Sequence, residues 1–409
     1  MHAPKLIGPF SQLLTFRNLP IKGALQDGQL EIIPQGGILV AEDKILAVDT
    51  FESLKSKATS LEHIEGDTTC IPGFVDAHTH ICFAGSRAQD YAMRNAGKTY
   101  LEIAKAGGGI WDTVTKTRAA SESELVKDML ARCNRHLQHG VTTLEVKSGY
   151  GLQLEEELKM LRAIEKAATK AVQDIVPTCL AAHMVPRDWP DSPAAYLSLM
   201  ADQLFPLLKD GGLTNRIDAF IEESAFSPEQ IAPYFEAAQR QGFDLTVHAD
   251  QFSSGGSAVA VRYGAVSADH LEASSTKEIE LLAKSDVISV ALPGASLGLG
   301  CDFTPARAIL DQGGALAIAS DHNPGSAPMG DLLTQASLLG TFQKLSNAEV
   351  LAGVTFRAAA ALKLDDRGVL DVGKQADFAT FPTNDYREIT YHQGQVQPQS
   401  VWKNGNKAV

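Results

Sequence analysis

Apolar positions along the 409-residue chain follow two rhythms. Near both ends they alternate with polar residues and turn formers, the period-2 pattern of half-buried strands. The run Gly37-Ile-Leu-Val-Ala-Glu-Asp-Lys-Ile-Leu-Ala-Val48 sets Glu42-Asp43 between two apolar stretches, which predicts a hairpin. Gly368 to Phe381 has the same character, and Val401 to Gly405 adds an Asn-Gly turn signal. Residues 1–70 and 355–409 are therefore expected to pair into one small β-sandwich.

Residues 71–354 behave differently. Eight short apolar segments recur there, near Gly73–His80, Val141–Lys147, Ile175–His183, Ile217–Glu222, Phe243–His248, Ala265–His270, Val287–Leu292 and Ala315–Asp321. Helix-like stretches separate them, such as Ser121–His136, Leu154–Val172 and Pro228–Gln241. Eight strand-helix units over this length predict a closed (β/α)8 barrel of α/β class. A doubly wound open sheet would want a Gly-x-Gly-x-x-Gly turn after an early strand; none is present, and Gly107-Gly108-Gly109 is not placed to be one. That glycine run reads either as a flap or as a helix-ending turn.

In a barrel the C-terminal ends of all strands converge on one face, and chemically loaded residues fall at those ends. His78 and His80 follow the first segment at i, i+2 spacing, so both point to one side and can grip one metal ion. His183 ends the third segment, His248 the fifth, His270 the sixth and Asp321 the eighth. Glu222 and Glu223, at the end of the fourth, point to opposite faces; one of them is open either to a role behind the ligands or toward a substrate, or to a plain structural role. His322 faces away from Asp321 and reads as structural.

Composition narrows the class. A net charge of −13 with no basic stretch argues against nucleic acid or an anionic membrane as partner. The five cysteines are odd in number and too dispersed for a Cys-x-x-Cys site, which suits reduced thiols and a cytoplasmic location. The N-terminus carries no apolar run of signal length, and nothing later approaches the roughly 20 residues needed to cross a bilayer. A homodimer is among the assemblies compatible with these features.

Asp-Ala-His-Thr-His, the later His248 and His270, Ser-Asp-His-Asn at the eighth segment and the closing Gly-Lys-Gln-Ala-Asp-Phe resemble the amidohydrolase superfamily of metal-dependent barrel hydrolases and deaminases, over nearly the whole chain. Phe83-Ala-Gly-Ser-Arg87, Ala106-Gly-Gly-Gly-Ile110, Glu145-Val-Lys-Ser-Gly-Tyr-Gly151, His248-Ala-Asp-Gln-Phe252 and Asp321-His-Asn-Pro-Gly-Ser326 are similar to its ring-opening branch, which hydrolyses 4-imidazolone-5-propanoate to N-formimidoyl-L-glutamate in histidine degradation. That resemblance implies a small anionic imidazolone substrate. It also implies that Arg87, Tyr150, His183, Gln251 and Ser326 contact substrate, while Asn323 and Gly325 with Tyr150 hold the opened product. Binuclear members usually bridge their metals with a modified lysine on the fourth strand; Ile217 to Ser224 has none, so one Zn²⁺ or Fe³⁺ per subunit is expected.

Residue chemistry leads to a similar place. Three imidazoles, from His78, His80 and His248, plus the Asp321 carboxylate would hold such an ion and leave it room to activate a water. His270 and Asp321 are the candidate catalytic proton carriers. Arg87, on the loop leaving the first strand, has the fork for a substrate carboxylate, with Arg94 next in line. Purine and pyrimidine deaminases of the superfamily, the competing class, resemble a His-x-x-Glu pattern after the fifth strand. Here that position is Gln251, which can orient a ring carbonyl or N–H but cannot take up a proton. A non-catalytic scaffold of the same fold would be expected to have lost ligands that this chain keeps.

Overall fold

The computed structural model describes residues 3–223 and 225–409, apart from the side chains of Tyr100, Leu101 and Ala104. Met1-His2 and Ser224, the end of the lysine-free stretch that begins at Ile217, lie outside it. The N-terminal region supplies β1 (Lys5–Leu14), β2 (Ile32–Ala41), β3 (Lys44–Thr50), β4 (Ser60–His63) and β5 (Thr69–Pro72). The barrel follows as β6 (Phe74–Asp76), β7 (Val141–Lys147), β8 (Asp174–Ala182), β9 (Arg216–Ile221), β10 (Asp244–Ala249), β11 (Ser267–His270), β12 (Ile288–Ala291) and β13 (Ala315–Ile318). The C-terminal region returns as β14 (Phe378–Phe381), β15 (Ser400–Lys403) and β16 (Asn406–Lys407).

Strands β6 to β13 pair in parallel in chain order, with helices such as Glu122–Gln138, Leu154–Ala168 and Pro228–Arg240 between them. Two of these helices start where the sequence signals a start. Ser121 and Ser227 form capping boxes with Glu124 and Gln230, and Pro228 sits in the first turn where its missing N–H costs nothing. The ring closes past the strand ends: Asp321 N–H donates to the His78 carbonyl and His80 N–H to the His322 carbonyl, both at 3.0 Å. All eight expected segments are strands, the second with the expected bounds and the others displaced or shortened by one to a few residues.

The chain ends share one eight-stranded mixed sheet, in which β5 pairs with β1 on one side and β14 on the other. Ile7, Phe10, Ile38, Val48, Phe378 and Trp402 meet in its core, and Trp402 stacks on Phe378 at 4.9 Å. Both expected turns form. Ala41 pairs with Lys44 around Glu42-Asp43, and Lys403 with Asn406 around Asn404-Gly405, whose positive φ values of 53° and 70° suit a tight hairpin turn. The Gly107–Gly109 run links the helices Tyr100–Lys105 and Ile110–Ala119, so its helix-ending character is what the fold displays.

The sheet is fastened to the barrel by charge. Lys403 Nζ lies 2.7 Å from Asp377 and 2.8 Å from Asp174 at the foot of β8, and Arg367 reaches Asp174 and the Thr143 hydroxyl of β7. Lys403 and Asp377 are both about 3% exposed at the side chain. Replacing Lys403 by Met leaves Asp377 buried without its counter-charge and should cost roughly 3 to 5 kcal/mol. Denaturant unfolding checks this; a loss below about 1 kcal/mol would mean that the pair does not anchor the sheet.

Candidate metal centre and active site

Three imidazoles converge at the barrel mouth. His78 Nε2 is 3.2 Å from His80 Nε2, and His248 Nε2 is 3.3 Å from the same atom. Asp321 Oδ1 completes the group at 3.6 Å from His78 and 3.5 Å from His80. Two rings have their other nitrogen committed to a carboxylate: His78 Nδ1 lies 2.6 Å from Asp269 and His248 Nδ1 3.0 Å from Asp218. An Nδ1–H facing a carboxylate leaves Nε2 as a bare lone pair, so His78 and His248 turn lone pairs inward with no proton between them.

This donor set fits a metal ion. Ligands sharing one ion tetrahedrally at about 2.0–2.1 Å stand about 3.3–3.4 Å apart, close to the spacing found. Burial holds the imidazoles neutral: His78 and His80 lie well below the ordinary histidine value, and His248 is down to about 3. Burial likewise pushes the Asp321 carboxyl up to about 7, a discomfort that a bound cation would reverse. Among the described residues these three histidines are the only cluster whose ligand atoms lie within 4.8 Å of one another.

The other expected residues gather around this centre. His80, Arg87, Tyr150, His183, His248, Gln251, His270, Asp321, Asn323, Gly325 and Ser326 line one cavity of about 510 Å³; His78 lies beneath them and contributes through its ring. His183 Nδ1–H donates to the Gly149 carbonyl at 2.9 Å, leaving its Nε2 as an acceptor, and burial holds the ring neutral with a pKa of about 4. Tyr150 is buried between His80 and His183, at centroid distances of 5.9 and 5.5 Å.

His270 and Leu271 both carry left-handed backbone, φ 85° and 72°, a strained pair that turns His270 and Glu272 toward the same space. Glu272 sits 3.4 Å from His270 Nδ1. Burial opposes protonation of His270, but Glu272 overrides it and the ring titrates above its ordinary value. Asp321 also has positive φ, 51°, at the point where β13 has ended. His322 faces the other way, as expected, and meets His136 at 2.9 Å.

Several side chains behave differently from a simple reading. Asn323 spends its amide on its own loop, donating to Asp321 and Ser326 and accepting from the N–H groups of Gly325 and Ser326, so it braces the wall it lines. Glu222 is buried, yet its oxygens receive the backbone N–H groups of Glu223, Phe252 and Ser253 and the Ser253 hydroxyl; Glu223 is exposed. Glu222 therefore clamps the loop after β10, and neither glutamate is among the residues that line the cavity beside Gln251.

Arg87 donates from Nε to Asp90 at 2.8 Å, which also receives Gly109 N–H at 2.8 Å. Its terminal nitrogens have no protein partner among the described residues and lie against Gly325, where an added Cβ would stand 2.3 Å from Nη1. Asp90, Asp218, Asp269 and Glu272 were not singled out from sequence, and Glu145 and Lys147 stood there only inside a motif, without a role. For Asp218, Asp269, Glu145 and Lys147 the available signal was a charged residue within an apolar strand, as in Arg216-Ile-Asp-Ala-Phe-Ile221.

The family model described as amidohydrolase family matches residues 69–408. Imidazolonepropionase of Bdellovibrio bacteriovorus is 39% identical over 99% of this chain and 97% of its own, and that of Herpetosiphon aurantiacus 38% identical over the same shares. An adenosine deaminase from Xanthomonas campestris with bound zinc superposes with a TM-score of 0.72, covering 99% of this chain and 92% of that one; at 19% identity the likeness is one of fold. The chain belongs to the amidohydrolase family, and within it to the imidazolonepropionases.

Gly325→Ala tests the packing of the Arg87 fork. The added methyl displaces a flexible guanidinium and no backbone, so the fold should survive. The KM for an anionic substrate should rise roughly tenfold or more, the scale of a charge-assisted hydrogen bond, with metal content unchanged. An unaltered KM would show that Arg87 does not hold the anion from this position.

Proposed function

We propose that the protein is an imidazolonepropionase that hydrolyses the ring C–N bond of 4-imidazolone-5-propanoate to N-formimidoyl-L-glutamate, using one zinc or iron ion. The observation that carries the reading is the shared cavity: a three-histidine, one-aspartate cluster and the unpaired Arg87 fork face the same space. His78, His80, His248 and Asp321 would hold the ion, which when bound supplies Lewis acidity and an activated water.

The remaining chemistry belongs to the side chains. Arg87 pairs with the propionate, backed by Asp90, which fixes the fork through Nε and leaves both terminal nitrogens for the ligand. His183, locked in its Nδ1–H form, accepts a ring N–H at Nε2, and the Tyr150 hydroxyl and Gln251 amide orient the ring polar atoms. Asp321 takes the proton from the attacking water through its carboxylate. His270, held by Glu272, faces the carbonyl that becomes tetrahedral and returns a proton to the departing ring nitrogen. Ser326 and Gly325 form the wall against which the opened product rests, with Asn323 holding that wall in shape.

Deamination would need a carboxylate where Gln251 stands, and Glu222 is fully engaged elsewhere. Product analysis on freshly generated imidazolonepropionate decides between the classes. Stoichiometric formimidoylglutamate without ammonia is expected; ammonia appearing in step with substrate loss would make the protein a deaminase. Elemental analysis should find about one zinc or iron per chain, and His270→Asn should cut kcat by roughly 10²- to 10⁴-fold with metal retained. Loss of metal in that variant would move His270 from proton transfer into the ligand set.

A further inference from the structure

The inside of the barrel beneath the imidazoles is charged. Lys147, on β7, is 1% exposed, and its Nζ stands 2.8 Å from Glu145 Oε1, 2.8 Å from Asp218 Oδ2 and 3.9 Å from Asp269 Oδ2. A lysine is almost never buried this far unless paired, yet three carboxylates around one ammonium exceed what pairing requires. The surplus has a direction. Asp218 also faces His248 Nδ1 at 3.0 Å, Asp269 faces His78 Nδ1 at 2.6 Å, and the second oxygen of Glu145 accepts Thr79 N–H, between His78 and His80, at 3.1 Å. Asp218 and Asp269 each set one oxygen, Oδ2, between Lys147 and a histidine of the cluster, and Glu145 gives one oxygen to Lys147 and the other to the backbone between His78 and His80.

We propose that Lys147 is a positioning residue for the metal centre, a single buried ammonium that fixes, through Asp218, Asp269 and Glu145, the ring orientation of His248 and His78 and the backbone between His78 and His80. Without it, three carboxylates would face one another in a low-dielectric interior, and mutual repulsion would turn them away from the groups they hold. The imidazoles would then have to be ordered at the moment of metal binding. This also gives the only buried lysine of β7 a part that no direct contact with ion or substrate supplies.

The inference rests on the metal-centre reading above, and the test separates the two. Zinc affinity is measured by chelator competition on purified wild-type protein, Lys147→Met and Lys147→Met/Glu145→Gln, with unfolding of each metal-free protein followed by circular dichroism. The double variant removes equal and opposite charges, so it should fold where the single one is too unstable. The expected result is a zinc dissociation constant raised roughly 10- to 100-fold in whichever variants fold, the range for residues behind metal ligands. A merely structural lysine would instead lower the unfolding midpoint of the metal-free protein and leave the zinc affinity of the folded fraction at the wild-type value. That outcome overturns the inference and spares the metal centre. Failure of the wild type itself to take up zinc or iron would overturn both.

Discussion

The contact on which the site depends is the seam between the first and last barrel strands. Two backbone hydrogen bonds, from Asp321 N–H to the His78 carbonyl and from His80 N–H to the His322 carbonyl, join segments that lie at opposite ends of the barrel sequence. They also place an aspartate and two histidines within ligand distance of a common point. Closure past the strand ends joins the first and last strands through a bridge at Thr79 and His322, and the same short segments carry the candidate ligands. The left-handed backbone at His270, Leu271 and Asp321 costs of order 1–3 kcal/mol per residue, and a closed ring supplies the surroundings that hold it.

The barrel was legible because its strands are short, nearly continuous apolar runs that stop at polar residues, and a parallel strand stops where the active face begins. The i, i+2 histidines, His183, His248, His270 and Asp321 stood out for that reason. Asp218, Asp269, Glu145 and Lys147 did not. Within a linear run each reads as an interruption of an apolar segment, and only closure shows that all four point at one another. Asp90 was hidden differently: three residues from Arg87 on a helix, it resembles an ordinary surface pair until Gly109 and the cavity close over it. For Glu222 and Glu223 a role toward ligands or substrate stood beside a plain structural one; what alternation along a strand does not reveal is that four hydrogen-bond donors from neighbouring residues use up the oxygens of Glu222.

Specificity rests on how the cavity distributes charge. Its deep end concentrates neutral imidazoles around carboxylates, a place for a cation and for a ring about to be attacked. Its rim carries Arg87, Arg94 and Lys98, of which Arg87 is paired with Asp90 and Lys98 with Glu102. In the proposed reading a ligand sees a polarised pocket with an anion seat at one end, and an amide at position 251 where a proton carrier would favour loss of ammonia. The protein is acidic overall, so that seat is a local reversal of sign.

The pairing of β5 with β14 has a consequence for how the chain is made. Pro72 bonds in register with Phe378, and Thr69 with Phe381, so the middle of the terminal sheet is built from residues synthesised before and after the entire barrel. Strands β1 to β5 leave the ribosome with one side of β5 unsatisfied, and that side stays open until Phe378 to Phe381 emerge. Closure of so long a loop is slow compared with local helix and hairpin formation. The sheet that anchors the foot of the barrel is thus its latest element to be completed, and the newborn chain carries an open strand edge throughout synthesis of its catalytic half.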